Sequence, residues 1–383
     1  MIYFDNAATT YPKPRGVPRA VYASFRKYGA NPGRAGHDLS FSTAEQVYHC
    51  RKALAELFGA PDPECVVFTL NCTYALNMAL KGLLRRGDHV ISSDLEHNAV
   101  MRPLEQLRRD GTITYTRAHV SIGNPAATVA SFERAIRPNT RLIVCTHVSN
   151  VFGVILPVEQ IGALAHRRGL LFVVDCAQSA GVIPIRMDQA HADCLCMPGH
   201  KGLYGPMGTG VMLCSAKDPM RTIIEGGTGS LSKNLEQPEL LPDRFESGTV
   251  NVPGIIGLSA GIGFVRTRGM DAIRRHELAV AGRVYQGLSG IPGVRLYTPA
   301  PRDGSLGPVI SFNVQGLGSE QTAARLNAAG IAVRAGLHCA PEAHRTFGTL
   351  ETGTVRVSPG AFNTERDAAV LIKSVFQIAK SRK

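Results

Sequence analysis

Two short segments, far apart in the chain, carry the residue types that chemistry needs. Met197-Pro198-Gly199-His200-Lys201-Gly202-Leu203-Tyr204-Gly205-Pro206 sets one lysine in a turn of glycines and prolines beside a histidine. An amine becomes a good nucleophile toward an aldehyde once burial or nearby positive charge lowers its pKa, and His200 with the apolar turn is expected to do this for Lys201. Arg334-Ala335-Gly336-Leu337-His338-Cys339-Ala340-Pro341 sets one cysteine between a histidine and small residues. A thiolate there could act as a nucleophile, with His338, His344 and Arg345 supplying positive surroundings that favour it. A metal site built from His338, Cys339 and His344 has poor spacing, and no paired CxxC set suggests zinc.

Between these segments the hydrophobic period alternates. Ser42-Thr43-Ala44-Glu45 reads as a capping box opening a helix that runs to Gly59. Strands are expected at 65–69, 89–93, 141–146 and 170–175, with helices at 73–85, 99–109 and 158–168. Such alternation predicts an α/β fold with a mainly parallel sheet and helices on both faces. After Pro253 two long helices, 253–269 and 271–289, precede a smaller α/β unit with strands at 309–313, 331–334 and 354–357 and a last helix from Thr364. The expected division is a large domain, 15–255, and a smaller one formed by 1–14 with 256–383. The Gly226-Gly227-Thr228-Gly229-Ser230 stretch up to Asp243 reads as a mobile loop.

In a parallel sheet ligands gather at the carboxyl ends of the strands. After the strand ending at Thr69 come Cys72 and Thr73 at a helix start, where Thr73 either caps the helix or helps hold a phosphate. His97 follows the next strand and could stack on a flat ring, move a proton or cap a helix. Asn150 follows the third. Asp175 closes an apolar strand, where its charge is costly without a partner such as a protonated ring nitrogen; helix capping is the alternative. Gln178 could bond the same ligand. An aldehyde for Lys201, a phosphate cradle, a carboxylate for a ring nitrogen and a histidine for the ring face together describe pyridoxal 5′-phosphate (PLP).

The sequence also resembles a family. Asp5-Asn6-Ala7-Ala8-Thr9-Thr10, Glu96-His97-Asn98, Asp175-Cys176-Ala177-Gln178, Gly199-His200-Lys201 and Phe245-Glu246-Ser247-Gly248-Thr249-Val250-Asn251 are similar to the class V aminotransferase-fold PLP enzymes, of PLP-dependent transferase fold type I. The Arg334–Ala340 segment resembles the cysteine desulfurases, and its short loop the group II, selenocysteine lyase-like branch. The resemblance runs from Asp5 to Arg356. It implies that Lys201 carries PLP covalently, Asp175 pairs with the pyridine nitrogen, Gln178 with the ring hydroxyl, and His97 stacks on the ring. Asn150 would lie near the ring hydroxyl and substrate carboxylate. Cys72, Thr73 and His200 would line the cofactor's phosphate side, with Thr249 reaching in from a second subunit. Arg356, with Asn6 nearby, would bind the substrate carboxylate, for which a guanidinium fork is suited. Cys339 would attack the substrate sulfur. Three positions depart from the pattern: Pro198 replaces a phosphate-binding serine, Cys72 a threonine or alanine, and Leu337 the first histidine of a His-His-Cys pattern.

Composition narrows the field. The chain has 383 residues, 44% hydrophobic and 19% charged, as expected of an ordinary soluble protein of two domains. The start of the chain has no secretory pattern, and no stretch is apolar enough for a membrane span. Nine scattered cysteines read as reduced thiols in a cytoplasmic protein, and Cys194/Cys196 as core. The formal charge of +12 comes as isolated pairs (Arg108-Arg109, Arg167-Arg168, Arg274-Arg275) at expected helix ends, without an aromatic–basic stripe, so no nucleic-acid partner is expected. The expected activity is conversion of L-cysteine to L-alanine with a persulfide left on Cys339. L-selenocysteine is a possible substrate, a homodimer the expected assembly, and a sulfur-acceptor protein a possible partner. Alternatives are an aminotransferase or other PLP β-lyase without sulfur transfer, and a non-catalytic sulfur-relay or scaffold subunit.

Overall fold

Thirteen strands in three sheets form among the described residues, where the sequence predicts seven, one of which divides in two. The structure is a computed structural model that describes residues 1–33, 36–215 and 220–381. A short β1 (Ile2–Tyr3) is followed by the strands of the main sheet: β2 (Val66–Thr69), β3 (Asp88–Ser93), β4 (Ile113–Ala118), β5 (Thr140–Thr146), β6 (Leu171–Asp175), β7 (Cys194–Pro198) and β8 (Gly210–Cys214). Their order is β2-β8-β7-β6-β5-β3-β4, parallel from β7 through β4, with β8 antiparallel to both neighbours. The sheet is mainly parallel, as expected.

Period-two alternation divides the strands between two cores. Ile143, Cys145, Phe172, Val174, Leu195 and Met197 belong to one. Leu142, Val144, Val173, Cys194 and Cys196 belong to the other. The Cys-x-Cys pair thus points both thiols to one apolar face, with zero exposure. Helices α1 (Gly16–Lys27), α2 (Asp38–Phe58), α3 (Cys72–Leu83), α4 (Asn98–Arg109), α5 (Pro125–Arg134) and α6 (Val158–Arg167) accompany this sheet. Helix α2 starts four residues before the expected capping box. His37 caps it through Nδ1, which accepts the Ser40 N–H at 3.2 Å, and Ser42 lies inside the helix. Gly59 ends it in the left-handed region, φ 68°.

Long helices α7 (Val252–Arg268) and α8 (Met270–Ser289) lead to a second sheet. It contains β9 (Val294–Leu296) and β10 (Ile310–Val314), while α9 (Ser319–Ala328) precedes β11 (Ile331–Ala332) and β12 (Arg334–Gly336). Helix α10 (Pro341–Thr346), β13 (Thr354–Val357) and α11 (Glu365–Lys380) complete the chain. The expected strand 331–334 is two elements: β11 pairs with β1, whereas β12 joins the antiparallel sheet β12-β13-β10-β9. Phe4 packs in the core of this second sheet with Val284, Phe312, Val357 and Leu371. The stretch 226–243 contains no helix or strand.

Helix α7 explains how the lysine turn is held. A Cβ on Gly261 would lie 2.3 Å from the Leu203 carbonyl oxygen, so only glycine lets the helix sit against the turn. On the other side, a Cβ on Gly202 would meet the Ala180 carbonyl at 2.3 Å. The turn is clamped by backbone on both sides.

Candidate active site

The ends of β2, β5, β6 and β7 bring the expected residues together. Asn71 caps α3 by accepting the Tyr74 N–H at 3.1 Å, so Thr73 is not the cap and stands exposed in the first turn. The N–H groups of Cys72 and Thr73 have no acceptor within the helix. Asp175, 2% exposed, accepts both its side-chain bonds on Oδ1: from the Ala177 N–H at 2.8 Å and the Cys72 thiol at 3.5 Å. It therefore caps the turn after β6 and still has Oδ2 to offer. Burial raises its pKa, opposed by the Ala177 N–H and the charge of Lys201.

Lys201 is held with its pKa lowered, first by burial and then by Arg356 and Arg334, against the pull of Asp175 and Cys72. The expected help from a charged His200 is absent. Burial pushes His200 down to about 4, with Lys201 and Lys13 adding to it, so the ring is neutral near pH 7. Its Nδ1 is buried without a partner among the described residues. His97 caps α4, its Nδ1 accepting the Ala99 N–H at 3.0 Å. Burial, then Lys201 and Arg356, bring it to about 4. A neutral imidazole suits stacking on a cationic ring better than a charged one. Glu96 beside it is fully buried, bonded to Ser93 Oγ and the Thr146 N–H, and pushed up to about 8 by burial, so it adds no negative charge near Asp175 at neutral pH.

Gln178 donates to the Ala7 carbonyl at 3.0 Å. It lines, with Lys201, Asn6 and Glu277, a cavity of about 40 Å³. The Asn6 amide is engaged within the protein: Nδ2 reaches Ser358 O at 3.1 Å and Asn363 Oδ1 at 3.2 Å, and Oδ1 accepts the Tyr11 N–H at 3.2 Å. It ties the first residues to the turn after β13, which leaves its amide no free group for a carboxylate. Arg356 on β13, 2% exposed, is also bonded, to Asp5 Oδ1 at 2.7 Å and the Asn150 carbonyl at 2.9 Å, while its Nε has no partner among the described residues. Thr249 stands apart. It is exposed, takes a bond from Asn31 at 3.3 Å, and faces a cavity of about 380 Å³ lined by Arg51, Asp243 and Glu246.

The cysteine loop follows β12. Cys339 is exposed, and its carbonyl accepts the Asn98 N–H at 2.7 Å, which sets it at the start of α4 next to His97. The expected positive surroundings are corrected here. His338 and His344 are buried and stack at 5.8 Å. Burial drives His338 to about 2 and His344 to about 4, so neither carries charge at neutral pH. The cations near the loop are arginines: Arg334 and Arg345 are exposed.

One group of site residues was not anticipated. The His200 carbonyl accepts from Lys13 Nζ at 2.6 Å, Thr9 Oγ1 at 3.1 Å, and Thr10 N and Oγ1 at 3.2 Å. Thr10 Oγ1 also reaches the Lys201 carbonyl at 3.0 Å. The N-terminal segment straps the lysine turn. The signal was a lysine between two prolines, barred from a helix and directly after the Asp5–Thr10 motif.

The residues present fit PLP. The orphaned His200 Nδ1 and the open N–H groups of α3 suit a phosphate, the spare Asp175 oxygen a ring nitrogen, and the Lys201 amine an aldehyde. Among the described residues no group of three metal-ligating side chains is found, and no helix is long and apolar enough to cross a membrane.

Comparisons with known proteins agree. The family model for class-V aminotransferases matches residues 2–371. A protein of Methanothermobacter thermautotrophicus named probable cysteine desulfurase is 33% identical over 387 residues, covering 99% of this chain and 94% of that one. One of the same name from Pyrococcus abyssi is 33% identical, covering 100% and 95%. Among solved structures, the apo cysteine desulfurase of Thermococcus onnurineus superposes with a TM-score of 0.91 at 34% identity, over 99% of this chain and 94% of that one. The cysteine desulfurase CsdA of Escherichia coli gives 0.87 at 26% identity, over 99% and 94%. The chain belongs to the class-V aminotransferase family.

Proposed function

We propose that this chain is a PLP-dependent cysteine desulfurase that converts L-cysteine to L-alanine and leaves the sulfur on Cys339. The observation that carries the reading is the exposed thiol of Cys339, whose carbonyl accepts the N–H of Asn98 next to His97, while His97 feels the charge of Lys201, which in turn feels that of Asp175.

Lys201 would hold PLP, Asp175 its ring nitrogen, Gln178 its ring hydroxyl, His97 its face, and His200 with the first turn of α3 its phosphate. When bound, PLP supplies an electron sink for negative charge developing at the substrate Cα. Burial lowers the pKa of Lys201, which favours its amine as the base that would take the Cα proton. Asp175, buried with its pKa raised by that burial, would gain most from a positive partner at its free oxygen. Arg356 carries one unpaired N–H and an Asp5 partner that a substrate carboxylate can replace. Cys339, as thiolate, attacks the substrate sulfur: a new S–S bond forms, the Cβ–S bond breaks, and its electron pair stays with the carbon fragment. Protonation of that fragment gives alanine.

The assembly proposed is a homodimer. Thr249 lies away from this chain's own lysine, beside exposed apolar side chains such as Tyr48, Leu70 and Tyr74, which suits a role in a second copy's site. All nine cysteines are free, in keeping with a reducing, cytoplasmic setting. A sulfur-acceptor protein would meet the exposed Cys339.

The test is Cys339→Ala. It should abolish sulfide release from L-cysteine while the cofactor's absorbance persists. Full activity in this variant would overturn the nucleophile. A keto acid with aminated cofactor, in place of alanine, would point to an aminotransferase.

A further inference from the structure

Peptide planes are rigid, so the two that flank the Cα of Lys201 decide where its side chain points. One carries the His200 carbonyl and the other the Lys201 carbonyl. Both are held by the N-terminal segment. His200 O accepts from Lys13 Nζ at 2.6 Å, Thr9 Oγ1 at 3.1 Å, and Thr10 N and Oγ1 at 3.2 Å. Lys201 O accepts from the Thr10 hydroxyl at 3.0 Å and from the Tyr204 N–H at 2.7 Å. The Gly205 N–H closes the same turn on Gly199 O, at 2.7 Å.

Lys13 organises this set. Its other short bond, 2.7 Å, goes to Thr10 Oγ1. An ammonium only donates, so that hydroxyl accepts from Lys13 and has one proton to give to a carbonyl. His200 O already takes Lys13 and the Thr10 N–H, which leaves Lys201 O as the better acceptor. Lys13 is half-buried, and burial brings its pKa down to about 8, so near pH 7 it remains a cation. Among the described residues no carboxylate pairs with it, and carbonyl and hydroxyl oxygens take the place of an anion. Its charge makes these bonds stronger than the neutral threonine bonds beside them. We propose that Lys13 is a positioning residue for Lys201: its ammonium fixes, directly and through the Thr10 hydroxyl, both peptide planes that flank the lysine. The proposal deepens the reading of Lys201 as the residue PLP joins, and rests on it.

The experiment compares the PLP-loaded wild type with Lys13→Met, which keeps the stem and loses the donor, and with Lys13→Arg, which keeps the charge. Hydrogen exchange without substrate is read at the Thr10 and Tyr204 amides. Lys13→Met should exchange both about tenfold faster or more, as expected for a lost bond to a charged group, while peptides from β10 and β13 stay protected. Lys13→Arg should stay within about threefold of the wild type. In turnover, Lys13→Met should lower kcat about tenfold or more, with KM for L-cysteine within about twofold. KM holds because the Tyr3 hydroxyl still braces Asp5 O at 3.1 Å and Thr9 O at 3.0 Å, and with them the Asp5–Arg356 pair. Wild-type exchange in Lys13→Met would overturn the proposal. So would equal losses in Lys13→Arg and Lys13→Met, or a raised KM at unchanged kcat, which would place Lys13 at the substrate. Borohydride should fix PLP to the wild-type peptide that carries Lys201. Failure there would sink the PLP reading, while the exchange result decides by itself whether Lys13 holds the turn.

Discussion

Glu277 offers a sharp test of how burial tunes acids around the lysine. It sits on α8, 3% exposed, and faces the small cavity it shares with Lys201 and Gln178. Among the described residues its side-chain bond is a long one, from the Tyr204 hydroxyl at 3.4 Å. Burial outweighs that bond and the distant Arg268, and pushes the carboxyl from 4.5 up to about 8. Between those values the folded protein keeps a proton that the unfolded chain has lost. The stability contributed by the neutral acid is complete below about 4.5 and is lost as pH rises through about 8. Each pH unit inside the window is worth about 1.4 kcal/mol, so the ceiling is roughly 5 kcal/mol. Glu277→Gln keeps the shape and an acceptor for Tyr204 but never charges. Urea unfolding of both proteins at pH 5, 6, 7 and 8, at equal cofactor saturation, should show similar stability at pH 5. The variant should pull ahead as pH rises, by roughly 2–5 kcal/mol at pH 8. A difference that stays flat, or that favours the wild type at pH 8, would refute the inference that burial governs this group.

Gly261→Ala sets two effects against each other: alanine should favour helix α7 by about 1 kcal/mol, while a Cβ 2.3 Å from the Leu203 carbonyl forces the backbones apart at roughly 1–3 kcal/mol or more. The clash should win, giving a lower denaturant midpoint; a more stable variant would contradict the close approach of α7 to the lysine turn. Arg51 and Glu246 form a buried pair, with Glu246 also accepting the Phe68 N–H at 2.5 Å. Arg51→Met leaves that carboxylate buried without its cation and should cost roughly 3–5 kcal/mol, read as a loss in unfolding free energy, whereas a neutral outcome would show that Glu246 finds water.

Much of the fold was legible because it is local. The run Leu171–Asp175 is apolar, β-branched and closed by an aspartate, and its boundary falls within one residue of expectation. Long-range pairing was not legible. Nothing in Ile331–Arg334 says that its first half pairs with the N-terminus and its second half with β13. Strand β4 escaped notice because Ile-Thr-Tyr-Thr-Arg-Ala, at the sheet edge, lacks an apolar run. The Ser42-x-x-Glu45 pattern misled because Thr43 is buried mid-helix, its hydroxyl bonded back to Leu39 O at 2.8 Å. In the site, residue types and their order at strand ends were readable. Charge was not: His200, His338 and His344 looked like sources of positive charge, yet burial, a property of the folded whole, holds all three neutral. The bonds that already occupy Asn6 and Asn150 are likewise tertiary, formed with segments hundreds of positions away.

The central claim is that sulfur passes from the substrate to Cys339. Incubating the PLP-loaded enzyme with L-cysteine, then measuring intact and peptide masses without reductant, tests it most directly. The account predicts one added sulfur atom on the peptide that carries Cys339, together with an equivalent of alanine. Alanine released with that peptide unmodified, or sulfur found on another cysteine in the Cys339→Ala variant at the wild-type rate, would contradict it.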